Sequence, residues 1–199
     1  MRFNGPGARD ARAPAAHRGV RCTEVTELPK SVPEREGSNP EEVFAFFGLA
    51  AYHGQVLEQE LIILAVMLHL SGRTRVTQAD VDASFDTFET RTFGQLLREA
   101  RSLIAVPADL DAKLAEALRR RNDLAHRFFA RRSEDSMSDA GRIDMIDELR
   151  NTILLFEEVD AAVTAIREPL SERLGISREM AQKELESMLA RAAARDEGV

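Results

Sequence analysis

The feature that most constrains this chain is the spacing of its apolar residues between Pro40 and Leu174. Val43, Phe46, Phe47, Ala50, Leu57, Leu61, Leu64, Ala65 and Leu68 recur mostly three, four or seven apart, as do Ile146, Leu149, Ile153, Phe156, Val159, Val163, Ile166 and Leu170. Side chains at those intervals share one face of an α-helix, whereas a half-buried strand needs strict alternation. No strand pattern longer than four residues occurs. The expected fold is therefore all-α, an up-and-down helical bundle of four to five helices. A chain with no Trp, 44% apolar and 31% charged residues suits helices that bury one face and hydrate the other.

Punctuation sets the boundaries. Ser38-Asn39-Pro40-Glu41-Glu42 predicts a sharp helix start: Asn caps free N–H groups, Pro suits the first helical position and two acids complement the dipole. That helix stops at Ser71-Gly72, and a short one follows over 78–88 with Thr77 as its cap. Thr92 opens another through Ile104, Pro107 begins one that runs to about Arg132, and a long helix spans 138–174, with a bend expected at Pro169 and closure at Gly175. Three regions result: a Pro/Gly/Arg-rich leader over 1–39, expected to be disordered because it has no apolar periodicity, a helical bundle over 40–175, and an amphipathic C-terminal helix within 176–199.

At 199 residues the chain suits one core. The single cysteine, Cys22, has no partner for a disulfide or a cysteine-based zinc site, and with no apolar run of membrane-spanning length or signal-peptide type, a cytoplasmic location without membrane association is expected. The net charge of −7 argues against a surface wholly built for nucleic acid. The distribution differs: between Arg119 and Arg132, six arginines (119, 120, 121, 127, 131 and 132) meet one acid, Asp123, a local +5 that suits a confined anion site. Arginine outnumbers lysine 24 to 3 along the whole chain, so the clustering carries the information rather than the residue type.

Within that cluster lies Arg121-Asn122-Asp123-Leu124-Ala125-His126. Asn122 and His126 are one turn apart on one helix face, while Arg121 and His126 diverge by roughly 140° at about 100° per residue. They do not naturally meet within one helix. Two copies of the helix packed antiparallel would bring the arginine and histidine of one chain near those of the other, so the spacing favours a site at a homodimer interface. Such a cleft suits metal-independent RNA cleavage by the RNA's own 2′-OH: His126 moves protons near neutral pH and Arg121 holds the phosphate and its growing charge. Asn122 would orient the imidazole or a phosphate oxygen, and Arg119, Arg120 and Arg127 would attract the RNA backbone without reading sequence.

Arg121-Asn122 followed by His126, near the end of a long helix in an all-α chain, resembles the HEPN superfamily, whose ribonucleases carry an R-x(4–6)-H motif. The resemblance implies a dimerising four- or five-helix bundle and a composite active site. It also implies metal-independent endoribonuclease activity in toxin, defence, stress or RNA-processing systems, with no cofactor. On that basis Arg121 and His126 are catalytic and Asn122 supports them, and a cognate antitoxin or neighbouring-gene product is an expected partner. The motif covers six residues. HepT-type toxins extend it to R-x(4)-H-x-Y, and this chain has Phe128 where that tyrosine would stand, which removes the hydroxyl needed for neutralisation by nucleotidylation.

The plain structural reading makes Arg121 and His126 part of a basic face on a bundle helix, with His126 half-buried and hydrogen-bonded; a different class of reading makes the same helix a non-catalytic interaction module that docks an acidic partner or RNA. His53 and His69 lie in no Glu-x-x-His or His-Glu-x-x-His pair and read as ordinary helix positions, with no metal site expected. Glu58 and Glu60 flank Leu57 and Leu61 and read as the solvated edge of the first apolar stripe. Phosphate loops, dinucleotide fingerprints and nucleophile elbows are absent, and no helix-turn-helix signature is present.

Overall fold

A computed structural model describes residues 32–34, 36–175 and 178–196 of the chain. Most of the expected leader, including His17 and Cys22, lies outside the described residues. The described chain is helical, with no strand among the described residues: α1 (Pro40–Leu70), α2 (Gln78–Glu89), α3 (Phe93–Leu103), α4 (Ala108–His126), α5 (Phe128–Arg131), a 3-10 turn (Asp135–Met137), α6 (Asp139–Arg173) and α7 (Arg178–Asp196).

The helix starts follow the capping chemistry. Asn39 Oδ1 accepts from the Glu42 N–H at 2.7 Å ahead of Pro40, and the Thr77 and Asp80 side chains each accept from the other's backbone N–H. The Thr92 N–H donates to Gln95 at 2.8 Å, and Ser138 caps α6 by accepting from the Gly141 N–H at 3.1 Å. Gly175, at φ 75°, follows α6 in the left-handed region where a side chain would be strained. Pro169 does not end α6, which continues to Arg173.

Two long helices form the axis of the core. Met145, Ile146, Leu149, Ile153, Phe156 and Val159 of α6 are fully buried along α1. The last ten residues of α1 are buried nearly all round, from Leu61 and Ile62 through Leu64–Leu68 to Leu70, because α2, α3 and α6 enclose that half. Its first half is covered on one side only: Val43, Phe46, Ala50 and Leu57 face inward, while Phe44, Tyr52 and Gln55 stay exposed. That asymmetry leaves an open strip of α1 beside α4, where the candidate site lies. Val32 packs against the core, and Arg142 on α6 donates to the Ser38 carbonyl, so the residues just before α1 are tied to the helical body.

Among the described residues no helix is long and apolar enough to cross a membrane. On α7, Leu185, Met188 and Leu189 are exposed.

Candidate functional site

The helix expected to run unbroken from Pro107 to Arg132 is interrupted at Arg127 (φ −139°, ψ −14°), so α4 ends on His126 and the short α5 follows. The backbone still bridges the break, with the Arg127 N–H on the Asp123 carbonyl at 2.8 Å and the Arg131 N–H on the Arg127 carbonyl at 2.9 Å. The motif thus occupies the last turn and a half of α4.

Arg121 falls inside the packing stripe of its helix. Leu110, Leu114, Ala117 and Leu124 are buried at steps of four, three and seven, and position 121 divides the last step into four and three. A guanidinium there needs a partner. Glu58 of α1 supplies it: Arg121 Nη2 donates to Oε2 at 2.9 Å and to Oε1 at 3.3 Å. Nη1 of the same group reaches Asn122 Oδ1 at 3.4 Å. The stem of Arg121 passes over Gly54, where an added Cβ would stand 3.7 Å from Arg121 Cγ and 3.3 Å from the Phe156 ring. Glycine at 54 lets α1, α4 and α6 come this close. Glu58 is not the solvated edge its neighbours suggest, and neither is Glu60, which accepts from Arg167 and, at 3.1 Å, from Thr164 on α6.

Beyond the Arg121–Glu58 pair the strip between α1 and α4 opens into a groove of about 190 Å³ lined by Phe47, Ala51, Gly54, Gln55, Arg121, Leu124 and Ala125. Its rim is aromatic. Phe129 packs on Phe47 at 4.7 Å and on Phe44 at 5.6 Å between ring centres, and Phe44 and Phe129 remain 60% and 38% exposed. Phe128 turns inward and is buried, with its ring 5.7 Å from that of Phe47.

The other flank of α4 has a different chemistry. A groove of about 410 Å³ is lined by Glu116, Arg119, Arg120, Asn122, Asp123, Arg127, Arg131 and Glu148. Arg131 bridges Asp123 at 2.7 Å and Glu148 at 2.6 Å, Arg132 holds Glu148 and Asp135, and Arg120 pairs with Glu116 at 2.7 Å and Glu148 at 3.6 Å. Arg119 also pairs with Glu116. Burial alone would raise the Glu148 carboxyl, but the hydrogen bonds from Arg131 and Arg132 and their charges hold it below the usual Glu range. The Asp123 and Glu148 carboxylates push Arg131 up in turn. Folding therefore brings Glu58, Glu116, Asp135 and Glu148 to the cluster, so five carboxylates face six arginines. Arg127 is the one without an ion pair to a described residue.

His126 is exposed at the end of α4 and makes no hydrogen bond or ion pair with a described residue. It is not the half-buried, hydrogen-bonded histidine expected of an ordinary basic helix face. Arg121 and Asn122 are brought together, while His126 contacts neither through a hydrogen bond. The remaining described histidines are engaged: His53 faces Glu157 at 3.7 Å, and His69 meets Arg73 at 3.2 Å and the Phe88 ring edge-on. Sequence reasoning missed Glu58, and the signal for it was the position of Arg121 in the apolar stripe of α4, which demands an acid from a facing helix. No known protein family, curated protein or solved structure matches this chain.

Proposed function

We propose that this chain is a HEPN-like, metal-independent endoribonuclease of a bacterial toxin, defence or stress system, acting in the cytoplasm with a composite site formed by two copies in an up-and-down helical bundle. The observation that carries the reading is the unlike treatment of two residues of one motif. Arg121 is held in the packing stripe at the side of an open groove, and His126 stands exposed at the helix end with no partner among the described residues. An exposed imidazole without a described partner is available for proton transfer, and a fixed guanidinium is available for charge stabilisation.

In the reaction the RNA 2′-oxygen attacks the adjacent phosphorus as the P–O5′ bond breaks, leaving a 2′,3′-cyclic phosphate and a 5′-hydroxyl. His126 of one copy takes the 2′-OH proton, and His126 of the other, protonated beforehand, delivers one to the departing O5′. Arg121 stabilises the charge on the phosphate oxygens, Asn122 steadies Arg121, and Arg127 draws in the backbone. The aromatic rim of Phe44, Phe47 and Phe129 supports docking of a second copy over the α1–α4 strip, since exposed aromatic side chains are favoured interface anchors.

The test is cleavage of a labelled RNA in EDTA. His126→Ala should slow it by about a hundredfold or more, and Arg121→Ala by a similar factor. Undiminished cleavage by both variants sinks the proposal. One observation favours the second reading, a helical interaction module: most of the arginines on the α4–α6 side are already neutralised by carboxylates. RNA or acidic-partner binding with no cleavage by the wild type would select it.

A further inference from the structure

We infer that Glu58 is a positioning residue for Arg121, an inference that rests on the ribonuclease reading above. A guanidinium in the packing stripe of α4 is costly to leave alone, and its surroundings fix it from three sides. Gly54 gives room for the stem, the Asn122 amide oxygen lies 3.4 Å from Nη1, and both oxygens of Glu58 take Nη2 at 2.9 and 3.3 Å. Nε has no acceptor among the described residues. The pair is neither sealed nor fully hydrated, with side chains 32% and 20% exposed, so the guanidinium is immobilised yet reachable from the groove beside it.

Mere neutralisation of a cation would need only a nearby carboxylate. Here the carboxylate comes from a different helix, 63 residues away in sequence, and grips one terminal nitrogen, leaving Nε and the second N–H of Nη1 for an anion. Fixing the rotamers of a long side chain before substrate arrives removes an ordering cost from the reaction itself. Glu58 touches no substrate in this arrangement. It acts through Arg121.

The experiment compares wild type, E58Q, E58D, R121A, H126A and the E58Q/R121A double variant on one labelled RNA in EDTA. Expected for E58Q is a fall in kcat of about tenfold to a hundredfold with KM changed by less than about twofold, since the interaction lost acts in the transition state. E58D, which keeps the charge on a shorter arm, recovers part of that rate and serves in place of E58Q should the amide variant unfold. The decisive readout is the cycle: if Glu58 works through Arg121, the double variant is no slower than R121A, whereas an independent structural role makes the two losses multiply. Cleavage by E58Q as fast as or faster than wild type, or multiplied losses, overturns the positioning role alone, provided R121A and H126A are slowed but still measurable. A wild type that does not cleave, or R121A and H126A variants that cleave undiminished, overturns the ribonuclease reading and this inference with it.

Discussion

The two flanks of α4 present the same residue type in opposite ways. Toward α6, Arg120, Arg131 and Arg132 converge on Glu148, whose side chain is only 17% exposed, and bind α4, α5 and α6 into one charged lattice. Toward α1, a single arginine meets a single glutamate beside an apolar, aromatic-rimmed groove. A cluster of arginines in sequence is thus mostly a scaffold in three dimensions. The functional reading depends on the flank with one arginine, because there the guanidinium is held without being surrounded by acids.

Stability measurements offer the largest test of that contrast. Glu148→Ala removes the carboxylate that three guanidiniums share, leaving each with one acid, and should cost about 2 kcal/mol, below the range for fully buried pairs because the site keeps some solvent. Arg121→Ala should cost about 1 kcal/mol or less, as expected for a pair open to water. Equal losses in urea denaturation would erase the distinction between scaffold and site. Acid sharpens it. The Glu148 carboxyl is depressed in the folded state, so its stabilisation is fully present above the unfolded Glu value of about 4.3 and is lost as pH falls through the lower folded value. The amide variant E148Q lacks that titration and should lose less stability than wild type between neutral and strongly acid pH.

A second test strikes the aromatic rim. Phe44→Ser with Phe129→Ser should change the stability of the monomer by only about 1 kcal/mol, because both rings are substantially exposed. It should weaken self-association by about tenfold or more if these rings anchor a second copy. Sedimentation velocity over a range of concentrations reads both forms. A wild type that stays monomeric at high concentration breaks the composite-site reading and leaves Arg121 and His126 on separate faces.

The all-helical class and most helix starts were legible because they depend on local rules. Asn39-Pro40, Thr77 with Asp80, and Gly175 act within a few residues, and the apolar intervals of α1 and α6 describe each helix by itself. The site was half legible. Arg121, Asn122 and His126 stand out as a motif, and their angular separation follows from helix geometry alone. What could not be read locally was pairing across the fold. Glu58 and Glu148 lie 63 residues before Arg121 and 17 after Arg131, and nothing near them in sequence marks them as partners. The local charge of +5 is offset partly by these same acids, Glu58 and Glu148, and partly by Glu116 and Asp135, which flank the stretch within helical reach of Arg119, Arg120 and Arg132. The break at Arg127 also escaped, because the apolar stripe continues through it to Phe128.

The smallest expected effect separates free from neutralised arginine within one groove. Arg127 and Arg120 both line the α4–α6 side, but Arg120 is committed to Glu116 and Glu148, while Arg127 has no described ion partner. A phosphate contact by Arg127 would release condensed counterions from RNA, whereas Arg120 would first have to leave its carboxylates, with little net gain. Binding of single-stranded RNA to the cleavage-inactive His126→Ala protein, measured over a series of salt concentrations, isolates this. Adding Arg127→Ala should lower the salt slope by about 0.7, the share of one phosphate contact on a single strand, and adding Arg120→Ala should leave it nearly unchanged. Equal decreases would mean that the lattice around Glu148 opens to meet RNA and that the scaffold flank is itself part of the binding surface.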